Sequence, residues 1–241
     1  MRPNVVSLRQ FYSSRLGRKI KQRLRQIVME RWPDHAQEVI VGVGYAVPVL
    51  RVLERAKPAS LMALMPASQG AIYWPVHSEN HSVLGDEMMP PFAPSTVHRV
   101  VMLHAFEHVA RPKELLQVYW QMLAPGGRLL LIVPNRRGYW ASFGNTPFAR
   151  GTPYTLSHIK ELLAEVQFTV RDNLTALYAP PTSSAFWLRA WQTCESLGRA
   201  LFPGIGGVLV IDAEKQIYAS IPEPVSSKAK WSPATAPISA S

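Results

Sequence analysis

Apolar residues along the middle of this chain gather in short runs closed by glycine or proline: Glu38–Gly44 (EVIVGVG), Ser60–Met65 (SLMALM) before Pro66, His81–Leu84 before Gly85, Arg99–Leu103 (RVVML) and Arg128–Val133 (RLLLIV). Runs of this length that are apolar almost throughout fit strands covered on both faces. Between them, Pro48–Ala56 and Pro112–Leu123 read as helices, each opening on a proline that a first helical turn tolerates. Strands alternating with helices predict a parallel, doubly wound α/β sheet. After Pro134 the pattern changes. Asn135–Pro153 is a long loop rich in arginine, glycine and aromatics, and Thr155–Val166 is a helix with Thr155 or Ser157 as its N-cap. Phe168–Tyr178 and Val208–Ala219 then form a closing pair of strands around a helix at Ala185–Leu201.

Upstream of the sheet, Phe11, Leu16, Ile20, Leu24, Ile27 and Val28 fall mostly three and four residues apart, which predicts one amphipathic helix from Ser7 to Arg31. The charge is concentrated here. Residues 1–32 hold nine Lys/Arg against one acid, whereas the other 209 carry 17 basic and 15 acidic side chains, so +8 of the net +10 lies at the amino end. The plain reading is a helix docking its apolar stripe with a solvated basic face; the alternative is an anionic partner, RNA or a membrane surface. The tail from Pro222, rich in Pro, Ser, Ala and Lys, is expected to be disordered. The expected division is a basic helix at 1–33, a core domain at 34–221 and a tail at 222–241.

No apolar run is long enough to span a bilayer, and Cys194 is the sole cysteine, which excludes an internal disulfide framework and any multi-cysteine zinc site. A cytoplasmic protein is the default. His104, Glu107 and His108 spell H-x-x-E-H, a zinc-peptidase spacing that works only if both histidines share one helix. His104 ends an apolar strand, so no metal is expected. Tyr139, Trp140, Phe143 and Phe148 sit in the loop after the fifth strand, with Asn135, Arg136 and Arg137 at its start; this loop is a candidate acceptor-binding surface, against the plainer reading of packing anchors.

Several segments, in order, resemble the class I S-adenosylmethionine (SAM) dependent methyltransferases: GVGYA (Gly42, Gly44, Ala46) after the first strand, Gly85-Asp86-Glu87 after the third, His104–Val109 at the end of the fourth, and Leu123-Ala124-Pro125-Gly126-Gly127 before the fifth. VGVGYAVPVL, ALMPASQG, VPNRRGYWA and TPFARGTPY resemble a divergent, mostly proteobacterial, methyltransferase type 11-like subgroup across almost the whole chain. The resemblance implies a Rossmann-like seven-stranded sheet with an antiparallel seventh strand, and SAM as cofactor. It implies that Gly42, Gly44 and Tyr45 lie at the methionine end, Asp86, Glu87 and Met88 at adenine, and His104 beside the sulfonium. Asn135, Arg136, Tyr139 and Trp140 are the implied substrate residues. Two family features are missing: Ile40 replaces an acid before the first glycine, and Leu64-Met65 stands where an acid usually binds the ribose hydroxyls. Such a bidentate acceptor is worth about 1–3 kcal/mol. The expected function is methyl transfer to a small molecule; a catalytically degenerate binding or scaffold protein and an RNA-binding protein are the alternatives.

Overall fold

The computed structural model describes residues 2–76, 78–142 and 146–216. The expected tail from Pro222, the last residues of the expected strand to Ala219, and Phe143 lie outside these.

Two helices, α1 (Val5–Ser13) and α2 (Arg15–Arg31), precede the sheet where the periodicity predicts one. Ser14 is the reason. Its backbone is extended, its hydroxyl accepts from the amide of Gly17, and its own amide bonds back to Gln10 and Phe11, so one serine closes α1 and opens α2. A Cβ on Gly17 would stand 1.9 Å from the carbonyl oxygen of Phe11, so glycine is needed for so tight a corner. The apolar stripe of α2 (Leu16, Ile20, Leu24, Ile27, Val28) is buried together with Leu8 and Tyr12 of α1, in one cluster with the helix α3 (Val47–Leu53).

Strands β1 (Val39–Gly44), β2 (Ser60–Pro66), β3 (Ser82–Gly85), β4 (Val97–Leu103) and β5 (Leu123–Pro134) pair in parallel, and β6 (Phe168–Ala176) and β7 (Val208–Lys215) close the sheet. The strand order is β3-β2-β1-β4-β5-β7-β6, with β7 antiparallel to both neighbours. Helices α4 (Pro112–Met122) and α5 (Leu156–Glu165) cover one face and α1, α2 and α3 the other, giving two apolar clusters separated by the sheet. The expected Pro-Gly-Gly turn belongs to β5 as an irregularity: Val97 faces Leu123, Arg99 faces Arg128, and Gly126 between them takes a φ of +68°. The expected helix at Ala185–Leu201 is two, α6 (Ala185–Arg189) and α7 (Trp191–Leu201), divided at Ala190. Among the described residues no helix is long and apolar enough to cross a membrane.

On β7, Asp212 is wholly buried and answered by the guanidinium of Arg128 on β5. Burial pushes its carboxyl up and the Arg128 bond works against that shift. The pair pins the antiparallel register between the two strands.

Candidate functional site

The strand order reverses between β1 and β4, because the chain builds outward from β1 through β2 and β3 and then returns to the other side of β1. In open α/β sheets the carboxyl ends of the strands at such a switch point form the ligand crevice. Here that edge carries Gly44, Tyr45 and His104. Gly44 has a φ of +78°, and a Cβ on it would lie 2.5 Å from the carbonyl oxygen of Leu103; the amide of Tyr45 donates to that same oxygen at 2.8 Å. The β1 loop is thus folded directly against the end of β4. Gly42 serves packing instead: its Cβ would meet Leu50 of α3 at 2.6 Å and Ala46 at 2.7 Å.

His104 is fully buried and its backbone sits in the left-handed region, φ 55°, an arrangement that a non-glycine residue adopts only when its surroundings hold it. What holds it is visible. Its Nε2 is 2.8 Å from the Tyr12 hydroxyl, its ring packs 4.7 Å from that of Phe148, and its carbonyl accepts from the Gln69 side chain at 3.3 Å. Burial, with Tyr45 and Glu107 adding to it, keeps the Tyr12 phenol well above its ordinary range, so it is a hydroxyl donor. With Tyr12 donating to Nε2, the ring proton of neutral His104 lies on Nδ1, which faces Glu107 Oε1 at 3.3 Å. The opposite tautomer would set a lone pair against the carboxylate. Even so, the alignment falls short of a hydrogen bond, and both carboxylate oxygens of the buried Glu107 lack a hydrogen-bond partner among the described residues. His108 Nε2 stands 4.0 Å from the same carboxylate, and burial pushes its imidazole down to about 4. The histidines do not share a helix: His104 precedes a 3₁₀ turn at Phe106–His108. Among the described residues no three His, Cys, Asp or Glu side chains are arranged to hold a metal.

The crevice is covered by the chain's own amino end. The amide of Val5 donates to the Gln69 carbonyl at 2.8 Å, Tyr12 stacks on Tyr45 with ring centres 5.8 Å apart, and Arg2 reaches Ser68 Oγ at 2.8 Å, the Ala105 carbonyl at 3.4 Å and Glu87 at 2.5 Å. Arg2 therefore links the loops after β2, β3 and β4. Burial pushes the Tyr45 phenol up to about 12, with Arg9 opposing the shift. Asp86 accepts from the amide of Met88 at 2.8 Å, forming a local turn, and Met88 leans on the apolar cluster beside α4. Ile40, Leu64 and Met65, at the places of the missing acids, are all wholly buried in the two cores.

The expected substrate residues do not form one surface. Asn135 is buried with its amide donating to the carbonyls of Gly204 and Gly206, at 2.9 and 2.7 Å, and its oxygen accepting from the Arg137 amide. Trp140 is fully buried, donates to the Ala179 carbonyl at 2.9 Å and packs so closely on Gly207 that a Cβ there would stand 2.3 Å from its ring. Arg136 and Tyr139 are exposed, with the Tyr139 hydroxyl 3.5 Å from the Tyr178 carbonyl. Among the described aromatics of the loop, Phe148 reaches the crevice, against His104. Arg2, Tyr12 and Gln69 escaped the sequence reading; the signal was the apolar spacing Val5, Leu8, Tyr12, which extends the helical stripe upstream.

Fold and switch-point crevice are those of a Rossmann-like, doubly wound α/β protein. Residues 39–131 match the sequence profile of the methyltransferase domain family, while no functionally curated protein matches the sequence. The solved structures agree. A SAM-dependent methyltransferase from Thermotoga maritima, described as a possible histamine N-methyltransferase, shares the fold at TM-score 0.61 and 13% identity, over 86% of this chain and 94% of that one. A methyltransferase solved with the Haloferax volcanii Trm112 methyltransferase activator gives 0.61 and 16%, over 88% and 99%. Geranyl diphosphate C-methyltransferase from Streptomyces coelicolor, solved with Mg2+, geranyl diphosphate and S-adenosyl-L-homocysteine, gives 0.57 and 14%, over 81% of each chain. Residues 39–131 thus resemble a methyltransferase domain in sequence, and the fold is the one that SAM-dependent methyltransferases share.

Proposed function

We propose that the chain transfers a methyl group from SAM to a small-molecule acceptor, and that residues 2–13 are a cover that must withdraw before the cofactor enters the crevice. The observation that carries this reading is Glu107: a buried carboxylate with neither oxygen hydrogen-bonded, at the end of β4 and beside the strained His104. A group left this way costs about 1–3 kcal/mol or more, which a ligand bearing donors or positive charge would recover. SAM carries both an ammonium and a sulfonium, and when bound it supplies the electrophilic methyl group. Methyl transfer by in-line displacement depends chiefly on alignment, so this chain's part is to orient and to exclude water. In this reading the Gly44–Tyr45 backbone and His104 line the methionine end and Asp86–Met88 the adenine end. Two of the structural relatives are named for small acceptors, which supports the substrate class; the lone cysteine supports a cytoplasmic location.

With the cover in place, groups that this reading assigns to the cofactor are already engaged: Tyr12 holds His104, and Arg2 holds Glu87. That contact, together with buried Ile40 and Leu64-Met65, favours a second reading, a superfamily member that has lost catalysis and binds or scaffolds. Calorimetric titration of SAM decides between them. Saturable binding by the full chain, weakened by Asp86→Ala, is expected. No heat from folded protein, in the native chain and in the Tyr12→Phe, Arg2→Ala double variant whose cover is loosened, would overturn methyl transfer in favour of the second reading.

A further inference from the structure

Where α1, α2 and α3 meet, an open cavity of about 410 Å3 is lined in part by Tyr12 and Tyr45. Its wall carries four cations, Arg9 of α1, Lys21 and Arg25 of α2, and Arg51 of α3, and no aspartate or glutamate. None of the four makes an ion pair among the described residues. Elsewhere the helix behaves differently: Arg23 meets Glu30 and Glu195, and Arg31 meets Asp172. The concentration of unanswered charge is therefore local to the cavity, not a property of the whole basic helix.

Two further observations describe what would fit. Arg25 is held by its Nε, which donates to the Pro48 carbonyl at 2.6 Å, so its fork is directed before any ligand arrives. Burial pushes both Lys21 and Arg25 below their ordinary ranges; Arg51 adds to each shift by repulsion, and Glu54, outside the wall, only partly offsets it for Arg25. The rest of the lining is largely apolar and aromatic, with Trp74 buried and Tyr73 exposed. A cleft lined by one sign of charge concentrates counter-ions, and arginine forks match phosphate oxygens.

We propose that this cavity binds a soluble phosphate monoester with a flat apolar body, the phosphate held by Arg25, Lys21 and Arg51 and the body laid against Trp74 and Tyr73. The volume lies within the range of small-ligand sites. A nucleic-acid strand is the poorer fit, because the cations converge from three helices on one concavity and do not run in a row along an exposed face. The site shares Tyr12 and Tyr45 with the edge of the crevice, whereas Lys21, Arg25 and Arg51, which hold the phosphate, lie on α2 and α3, outside the cover of residues 2–13.

Calorimetry on the full chain with phenyl phosphate tests this, with inorganic phosphate as the charge-only probe. Saturable binding of phenyl phosphate is expected, tighter than that of inorganic phosphate, and about tenfold or more weaker in Lys21→Gln and in Arg51→Gln, the scale of one charge-assisted contact. Tyr73→Ala should narrow the gap between the two probes. Arg9→Gln, on an exposed position of α1, replaces either charge variant that fails to fold. Removing two charges at the amino end of α4, with Arg111→Gln and Lys113→Gln, should leave binding unchanged. Absence of saturable phenyl phosphate binding at millimolar probe overturns the proposal, as does equal weakening by the α4 control. Binding of a short RNA without binding of phenyl phosphate also overturns it, in favour of a polymer-binding face.

Discussion

Replacing Tyr12 by phenylalanine removes one oxygen from the cover and leaves its ring in place. That oxygen is 2.8 Å from His104 Nε2, and both side chains are buried, with 4% and 0% of their surface exposed. Its loss strands a buried imidazole nitrogen at a cost of about 1–3 kcal/mol. The stack on Tyr45 and the contacts within the α1 cluster survive, so the cost falls on the closed arrangement. If SAM enters only after residues 2–13 withdraw, its apparent affinity is the intrinsic affinity multiplied by the open fraction. Raising the free energy of the closed form by that amount then tightens SAM binding roughly 5- to 150-fold, up to the limit set by the fully open protein. Calorimetry with SAM measures the affinity, and hydrogen exchange at the amides of α1 reports the opening. Faster exchange with tighter binding is expected. Faster exchange with unchanged or weaker binding would refute a cover that competes with the cofactor.

Other perturbations follow from the same geometry. Trp140→Ala should lower stability by about 3–5 kcal/mol in denaturant titration, because the ring fills a closed site over Gly207; a loss below 1 kcal/mol would return Trp140 to the acceptor surface. Gly44→Ala forces a Cβ toward the Leu103 carbonyl at a φ of +78°, and should cost about 1–3 kcal/mol, read as a lowered urea midpoint. Because burial holds the folded His108 near 4 against an ordinary 6.5, the unfolded chain takes up its proton first on acidification. Its contribution to stability is thus fully present above about pH 6.5 and is lost as the pH falls toward 4, at no more than about 1.4 kcal/mol per pH unit. Subtracting the profile of His108→Gln from that of the native chain isolates this slope; identical profiles would contradict the burial of His108.

The strands were readable because a strand covered on both faces writes its burial into consecutive residues: VIVGVG and RLLLIV can be little else. The end of β4 was readable too, and the structure brings His104 against the Gly44–Tyr45 loop. Local pattern misled where a side chain competes with the helix, as at Ser14, whose hydroxyl turns one predicted helix into two. It also left Trp140 and Asn135 undecided, since an aromatic or an amide in a loop looks the same whether it meets a ligand or a backbone carbonyl. Their partners, Ala179, Gly204 and Gly206, lie 39 to 71 residues away.

Taken alone, the sequence determined the alternating strands and helices of a parallel sheet, a glycine turn closing its first strand and a strongly basic amino end, all properties carried by residue type and near-neighbour spacing; the antiparallel close was implied by the family resemblance. Only the tertiary structure decided that the amino end folds over that loop, that Tyr12 meets a histidine 92 positions away, and that four cations from three helices surround one cavity. The physical reason is that periodicity tells which face of an element is apolar or charged, whereas the partner of that face is chosen by packing among segments that are distant in the chain.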